Sequence, residues 1–270
     1  MKILIISSNL IGDTILSTCV IQYFAKLHPK AKFTFLIGPS AGQIYEHFPN
    51  KEKIVLIKKK KFNFHWFEMY FASFNKKWEI IIDLRSSIIS YILFKNRKYI
   101  FKKNKSFSHL NQLKNFFELP NTNMKIHTSI EENNISKSIL NKNLKYIVIF
   151  PGGNWIPKIW PTQNYNKLIN LLIKEFSNVR FVMVGSLQEK EIFFKKIKNN
   201  LTDDYFINLM GESLTLTSAY MKNCNLFIGN DSGLMHLSIA SNLTTIGLFG
   251  PTNDKIYGHR GNNAYVIRTK

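Results

Sequence analysis

Residues 2 to 29 read KILIISSNLIGDTILSTCVIQYFAKLHP, and the order of side chains in this stretch decides the fold. Ile3 to Ile6 form a continuous apolar run that the polar, turn-forming Ser7, Ser8 and Asn9 bring to an end. That is the pattern of a strand buried on both faces in a parallel sheet. From Asp13, a plausible N-cap, apolar side chains recur with helical spacing at Ile15, Leu16, Cys19, Val20, Tyr23, Phe24 and Leu27, and they stop before Pro29. The stretch therefore reads as strand, loop and helix, the opening unit of an α/β fold.

The alternation continues outward from this unit. Strand KFTFLIG from Lys32, a short helix after Pro39, strand IVLI from Ile54, an aromatic helix over 63 to 75 and strand EIIIDL from Glu79 follow in turn. Residues 121 to 145 lose apolar periodicity and fill with Asn, Lys and Ser, so a domain boundary is expected there, giving domains of 1 to 130 and 131 to 270. Beyond it come strand YIVIFPG from Tyr146, a helix over 163 to 176, strand RFVMVG from Arg180 and a helix over 188 to 199. Strand NLFIG from Asn225, a short helix from Gly233 and strand TTIGLFG from Thr244 complete the second half. The expected architecture is α/β, two Rossmann-like doubly wound domains facing each other across a cleft. The loops at 7 to 13, 151 to 158, 185 to 189 and 229 to 236 follow strand ends, where such sheets bind ligands.

Composition narrows the function. The 270 residues are 45% hydrophobic, enough for two modest cores. Lys and Arg number 37 against 17 Asp and Glu, a formal charge of +20. Residues 1 to 130 hold 21 of the basic and 7 of the acidic groups, so the first half is the one expected to meet an anion, unless the bias is purely compositional. Cys19 and Cys224 lie far apart with no Cys or His at ligand spacing, which indicates neither a disulfide framework nor a zinc site. No apolar stretch approaches the roughly 18 residues of a membrane span, and the opening run is too short for a signal-peptide core, so a cytoplasmic protein is expected.

Three loops carry candidate chemistry. The first, SSNLIGDT, is not the G-x-G-x-x-G fingerprint, which argues against a standard NAD or FAD site. It offers Asp13, either a helix cap or a general base that takes a proton from an attacking hydroxyl, with Gly12 permitting close approach. The second, GNDSGLMH, leads a strand into a helix whose N-terminus suits a diphosphate; Ser232 adds a hydroxyl and Gly233 removes a blocking side chain, while His236 lies one turn further on. The third, PGGNWIPKIWP, places Gly153 and Asn154 in an irregular loop before Lys158, a point charge for a phosphate, with Trp155 and Trp160 read as packing residues.

Taken together, KILIISSNLIGDTILSTCVIQYFAKLHP, IIIDLRSS at 80 to 87, FPGGNWIPKIWP at 150 to 161 and LFIGNDSGLMHLSIASNLTTIGLFGPT at 226 to 252 resemble glycosyltransferase family 9, the bacterial heptosyltransferase family of lipopolysaccharide core synthesis. The resemblance spans nearly the whole chain, and D-[ST]-G-x-x-H followed by a strand and a GPT turn is its most specific part. It implies a GT-B architecture and an inverting transfer from a nucleotide sugar, ADP-heptose, held by the C-terminal half. On matching positions Asp13 becomes the catalytic base and Lys158 the donor-phosphate ligand. Asp231, Ser232, Gly233 and His236 become the donor-binding turn, with Gly153 and Asn154 beside it and Glu189 near the ribose. No D-x-D motif is present, so no metal or other cofactor is expected; Lys158 and the helix end would offset the leaving-group charge. A non-catalytic nucleotide-sugar-binding homologue, or a transferase using another nucleotide sugar, are the alternative readings.

The acceptor side is read from charge. Segment KKKKFNFHWFEMYFASF, Lys58 to Phe74, joins four lysines to Phe62, Phe64, Trp66, Phe67, Tyr70, Phe71 and Phe74, more rings than one core-facing stripe needs. An anionic lipid-linked sugar acceptor is expected, contacted by Gly12, Arg85, Ser86, Ser87 and His109, with peripheral contact at the inner face of the inner membrane. No nucleic-acid partner is expected, and the chain is read as a monomer.

Overall fold

The computed structural model describes residues 1–61, 64–198, 201–261 and 263–269. Phe62 of the aromatic segment and Asn199 of the helix expected over 188 to 199 lie outside the described residues. The chain divides into two compact units, Met1–His127 and Thr128–Lys270.

Unit 1 is a five-stranded parallel sheet in the order β3-β2-β1-β4-β5, made of β1 (Lys2–Ile6), β2 (Lys32–Ile37), β3 (Lys51–Leu56), β4 (Trp78–Asp83) and β5 (Lys95–Ile100). Its helices are α1 (Ile11–Leu27), α2 (Pro39–Gly42), α3 (His65–Phe71), α4 (Ile89–Ile92) and α5 (His109–Phe116). The central position of β1 follows from its composition: Ile3, Leu4, Ile5 and Ile6 are all fully buried, as a strand covered by helices on both faces requires. Outer strands β3 and β5 are half exposed and charged, KEKIVL and KNRKYI. That polarity hid β5 from a reading based on apolar runs. Leu4, Ile6 and Ile81 form the core beneath α3 and α4 with Trp78, Met69 and Leu93.

Unit 2 is a six-stranded parallel sheet in the order β11-β10-β9-β6-β7-β8. Its strands are β6 (Lys145–Phe150), β7 (Val179–Met183), β8 (Phe206–Asn208), β9 (Leu226–Asn230), β10 (Thr245–Phe249) and β11 (Ala264–Arg268). Its helices are α6 (Ile130–Ile139), α7 (Thr162–Glu175), α8 (Leu187–Glu189), α9 (Lys195–Lys198), α10 (Leu214–Met221), α11 (Gly233–Ala240) and α12 (Asp254–Tyr257), with a π-helical turn Lys190–Phe194 joining α8 to α9. The stretch read as patternless between 121 and 145 contains α6, started by a capping box in which Ser129 accepts from the Glu132 N–H and the Glu132 carboxylate accepts from the Ser129 N–H. The S-x-x-E spacing was present in the sequence; the weak apolar stripe concealed the helix. α10 was missed for the opposite reason, since seven of its eight residues are buried and no polar face marks its period.

Each unit has one point at which the strand order reverses. In unit 1 the chain leaves β1 for β2 on one side and later returns to β4 on the other, with Ile6 beside Asp83. In unit 2 the same happens at β6 and β9, with Phe150 beside Gly229. Crevices at such reversals are where open α/β sheets bind ligands.

Candidate active site

At the reversal in unit 1, Asp13 is the third residue of α1 and does not cap it. The N-cap is Leu10, which makes no side-chain capping bond, so the capping reading of Asp13 is corrected. Its carboxylate is turned instead to α5 and the segment after β5: Lys103 Nζ donates to Oδ1 at 2.6 Å, and His109 Nδ1 lies 3.1 Å from the same oxygen. His109 is buried and stacks on Phe101, with ring centroids 5.7 Å apart and planes at 13°, which fixes the imidazole. Burial pushes the Asp13 pKa up, but His109 and Lys103 together outweigh it and hold the carboxyl at about 2. The carboxylate is thus ionised at every pH in ordinary use.

The loop after β4 is shaped by Asp83, a fully buried carboxylate that sequence reasoning passed over. Its Oδ1 accepts the Arg85 N–H at 2.8 Å and its Oδ2 the Ser87 N–H at 2.6 Å. These bonds brace Ser86 from both sides in the left-handed region, φ 54°, a conformation costing a non-glycine residue roughly 1 kcal/mol or more. Ser86 Oγ donates to the Phe101 carbonyl at 3.0 Å, while the exposed Arg85 reaches Asn9 Oδ1 at 3.3 Å. The expected acceptor residues Gly12, Arg85, Ser86 and His109 lie, like Asp13, on the segments that follow β1, β4 and β5, which are linked through Asn9 and Phe101. An acidic residue ending an Ile run was the only signal for Asp83; Lys103, inside a Lys-rich run, had none.

At the reversal in unit 2, Asn230 is the central tie. Fully buried, it donates through Nδ2 to the carbonyls of Pro151 at 2.9 Å and Gly152 at 2.8 Å. Its Oδ1 accepts from the Trp160 N–H and the Tyr165 hydroxyl, both at 3.1 Å. All four hydrogen-bonding positions of the amide are used, so the loop after β6 is locked to the end of β9. Asp231, 5% exposed, follows: its Oδ2 accepts from Lys158 Nζ at 2.7 Å and from Thr252 Oγ1, in the GPT turn, at 2.9 Å. Lys158 closes a 3-10 turn, Ile156–Lys158, and its ammonium also lies 5.7 Å from the Tyr257 ring centroid.

Ser232 is the N-cap of α11 and accepts the Met235 N–H at 3.4 Å; its hydroxyl hydrogen remains a donor. Gly233 opens the helix two residues after Asp231, the partner of Lys158. His236, buried one turn on, is engaged by His259, Nδ1 to Nε2 at 2.9 Å. Burial lowers the His259 pKa to about 4, so that ring is neutral near pH 7. Glu189 ties loops together: Oε1 accepts the Gly153 N–H at 2.9 Å, and Oε2 accepts the Ser186 N–H at 2.7 Å and hydroxyl at 2.9 Å. Any side chain at position 152 would overlap the Glu189 carboxylate, which is the physical need for Gly152. Asn154 is exposed beside this loop. A cavity of about 480 Å³ between α7 and β9, β10 and β11 reaches the turn at Lys158 and Asn230, but Ser232, Gly233 and His236 do not line it. Among the described residues, no cluster of three or more His, Cys, Asp or Glu could hold a metal ion.

Two Rossmann-like units, each a parallel sheet with one strand-order reversal, are the GT-B fold, which solved heptosyltransferases share. The chain belongs to glycosyltransferase family 9, the heptosyltransferase family, whose model matches residues 75–270. It is 27% identical over 290 residues to lipopolysaccharide heptosyltransferase 1 of Campylobacter coli, covering 93% of this chain and 84% of that protein. It is 24% identical to lipooligosaccharide heptosyltransferase 2 of Haemophilus ducreyi, covering 99% and 88%. Among solved structures, the family 9 glycosyltransferase of Veillonella parvula superposes with a TM-score of 0.80 at 21% identity, covering 99% of this chain and 86% of that one. The E. coli heptosyltransferase WaaC, solved with ADP, superposes with a TM-score of 0.78 at 18% identity, covering 100% and 94%.

Proposed function

We propose that the chain is an inverting, metal-independent heptosyltransferase that takes ADP-heptose as donor and extends an acidic, lipid-linked sugar of the lipopolysaccharide core. The observation that carries this is the unit 2 turn, where Lys158 meets Asp231 at 2.7 Å beside the start of α11. The donor's diphosphate takes the Lys158 ammonium and the helix N–H groups. Ser232 and Gly233 flank it, with Gly153 and Asn154 on the facing loop. Glu189 meets the ribose through the one Oε1 lone pair its loop bonds leave unused, and His236, steadied by His259, donates to the phosphates.

Asp13 is the base. It takes the proton of the acceptor hydroxyl as the hydroxyl oxygen attacks the anomeric carbon. The bond from that carbon to the diphosphate oxygen breaks, and the departing ADP keeps the electron pair. The charge that develops on it is met by Lys158 and the α11 end, a contribution that needs no metal. One displacement inverts the anomeric centre. A base of pKa about 2 is a weak proton acceptor. Anionic groups of the acceptor draw Lys103 to themselves, releasing it from the Asp13 carboxylate and raising the basicity of that group once substrate is bound.

The test is transfer from ADP-heptose to purified core acceptor, with ADP release and the anomeric configuration of the product read by NMR, in the presence and absence of chelator. Inverted product formed equally well in both supports the proposal. Retained configuration, or turnover abolished by chelator and restored by a divalent ion, refutes it.

A further inference from the structure

Unit 1 carries a surface that the transfer chemistry leaves unused. α3 meets the core through His65 and Met69, four residues apart, a single narrow stripe. Its solvent side is aromatic: Phe64, Phe67 and Phe71 are 58%, 62% and 64% exposed. These rings touch their own neighbours, Phe64 against Phe67 at 6.0 Å and Phe71 against Phe74 at 5.8 Å between centroids. α4 packs on α3 and has the same character. Ile89 and Leu93 share a core cluster with Met69, while Ile88, Tyr91, Ile92 and Phe94 are exposed.

Cations surround this apolar face. Residues 58 to 98 hold ten Lys and Arg against three acidic groups, of which Asp83 is buried and Glu68 is paired with Lys60. Lys58, Lys59, Lys61, Lys77, Arg97 and Lys98 are exposed, and the Lys98 ammonium stands 4.5 Å from the Tyr91 ring centroid. A second copy of the chain docked here would set like charges against one another. An aromatic and aliphatic face rimmed by lysines is instead complementary to a bilayer interface with anionic headgroups, rings at the acyl boundary and ammonium groups at the phosphates.

We propose that the α3–α4 face docks the enzyme on an anionic lipid bilayer through Phe67, Phe71, Tyr91, Ile92 and Phe94, with Lys58 to Lys61 and Lys98 meeting headgroup phosphates. The docking stands on this surface alone. Its further consequence rests on the acceptor reading above: Arg85 and Ser86 lie on the loop that enters α4, so docking holds the acceptor loop at headgroup level.

The experiment is sedimentation of the full chain with neutral phosphatidylcholine vesicles and with vesicles containing about 30 mol % phosphatidylglycerol. The parent is expected to partition onto the anionic vesicles about tenfold or more above the neutral ones, and to be released by high salt. Phe67→Ser/Phe71→Ser should lower anionic-vesicle binding about tenfold with the melting temperature unchanged, because both rings are exposed. Lys59→Glu/Lys61→Glu should abolish the preference for anionic lipid. Equal weak binding of the parent to both vesicles, or variants that bind like the parent, overturns the proposal. So does a parent dimer in size exclusion that the Phe67→Ser/Phe71→Ser variant loses, which would assign the face to self-association. Turnover of a water-soluble acceptor fragment is measured in parallel: its persistence in a non-docking variant separates failure of docking from failure of the proposed reaction.

Discussion

Replacing Lys103 with Met removes the cation 2.6 Å from Asp13 and leaves the burial of the carboxylate unchanged. Burial is the largest single influence on Asp13 and pushes its pKa upward, so His109 alone must then oppose it. An opposite charge at this range lowers a carboxylate by about 1 to 3 units, and because His109 stays in place the variant's pKa should rise by about 1 unit. The stability effect follows from the shift itself. A carboxyl moved from 3.8 to about 2 contributes about 2 kcal/mol at about 1.4 kcal/mol per unit, and Asp13 is buried enough, at 20% exposure, for that figure to stand without a large screening discount. Because the folded-state pKa is the lower one, this stabilisation is fully present above 3.8 and is lost as pH falls through about 2. The parent should therefore exceed Lys103→Met in urea resistance by up to about 2 kcal/mol near neutral pH and converge with it near pH 2. In steady-state transfer assays the acid limb of kcat/KM should move upward in the variant. Superimposable acid limbs with a pH-independent stability gap would show that Lys103 does not control the Asp13 charge.

Asn230→Ala strands the Pro151 and Gly152 carbonyls and the Trp160 N–H inside unit 2, the Tyr165 hydroxyl keeping its bond to the Phe150 carbonyl, and should cost about 2 to 4 kcal/mol in chemical denaturation, with ADP binding lost at a temperature where the fold survives. Lys158→Met should weaken ADP binding by about 10- to 100-fold in calorimetry, the worth of one charge-assisted contact, while leaving acceptor binding unchanged. Burial pushes the thiols of Cys19 and Cys224 up to about 12, so neither should react with iodoacetamide at about pH 8 until the chain is unfolded. Gly152→Ala forces the Glu189 carboxylate aside and breaks its bond to the Gly153 N–H, and should lower donor affinity more than stability.

The sequence made some parts of this molecule legible because one residue type at one local spacing implied one structure. The Ile run before Ser7 dictated the buried central strand, and the apolar stripe from Ile15 to Leu27 dictated α1. The chemistry that depends on distant partners was not legible. Asp13 was visible, but Lys103 and His109 stand 90 and 96 residues away, and nothing local marks them as its partners. Asn230 was quoted as a loop residue, yet three of its four bonds reach the loop after β6 and the fourth Tyr165 of α7, which only sheet register brings alongside β9. The same holds for His259 with His236 and for Thr252 with Asp231. Edge strand β5 escaped notice because exposure lets an outer strand carry charge, which erases the pattern that identifies inner ones.

The ion pair of Lys158 with Asp231 has a consequence for selectivity. A ligand-free lysine at a helix start would attract any small anion, and inorganic phosphate is abundant in living cells. Here the ammonium already has a counter-ion within its own fold, so an incoming anion must displace a carboxylate that is itself almost fully enclosed. A single phosphate has too few contacts to win that exchange decisively. A diphosphate attached to a nucleoside, the donor class proposed above, would bring further contacts along the loops after β6 and β7, and could. Under that proposal the internal pair sets a threshold against common anions, at the expense of some affinity for the donor.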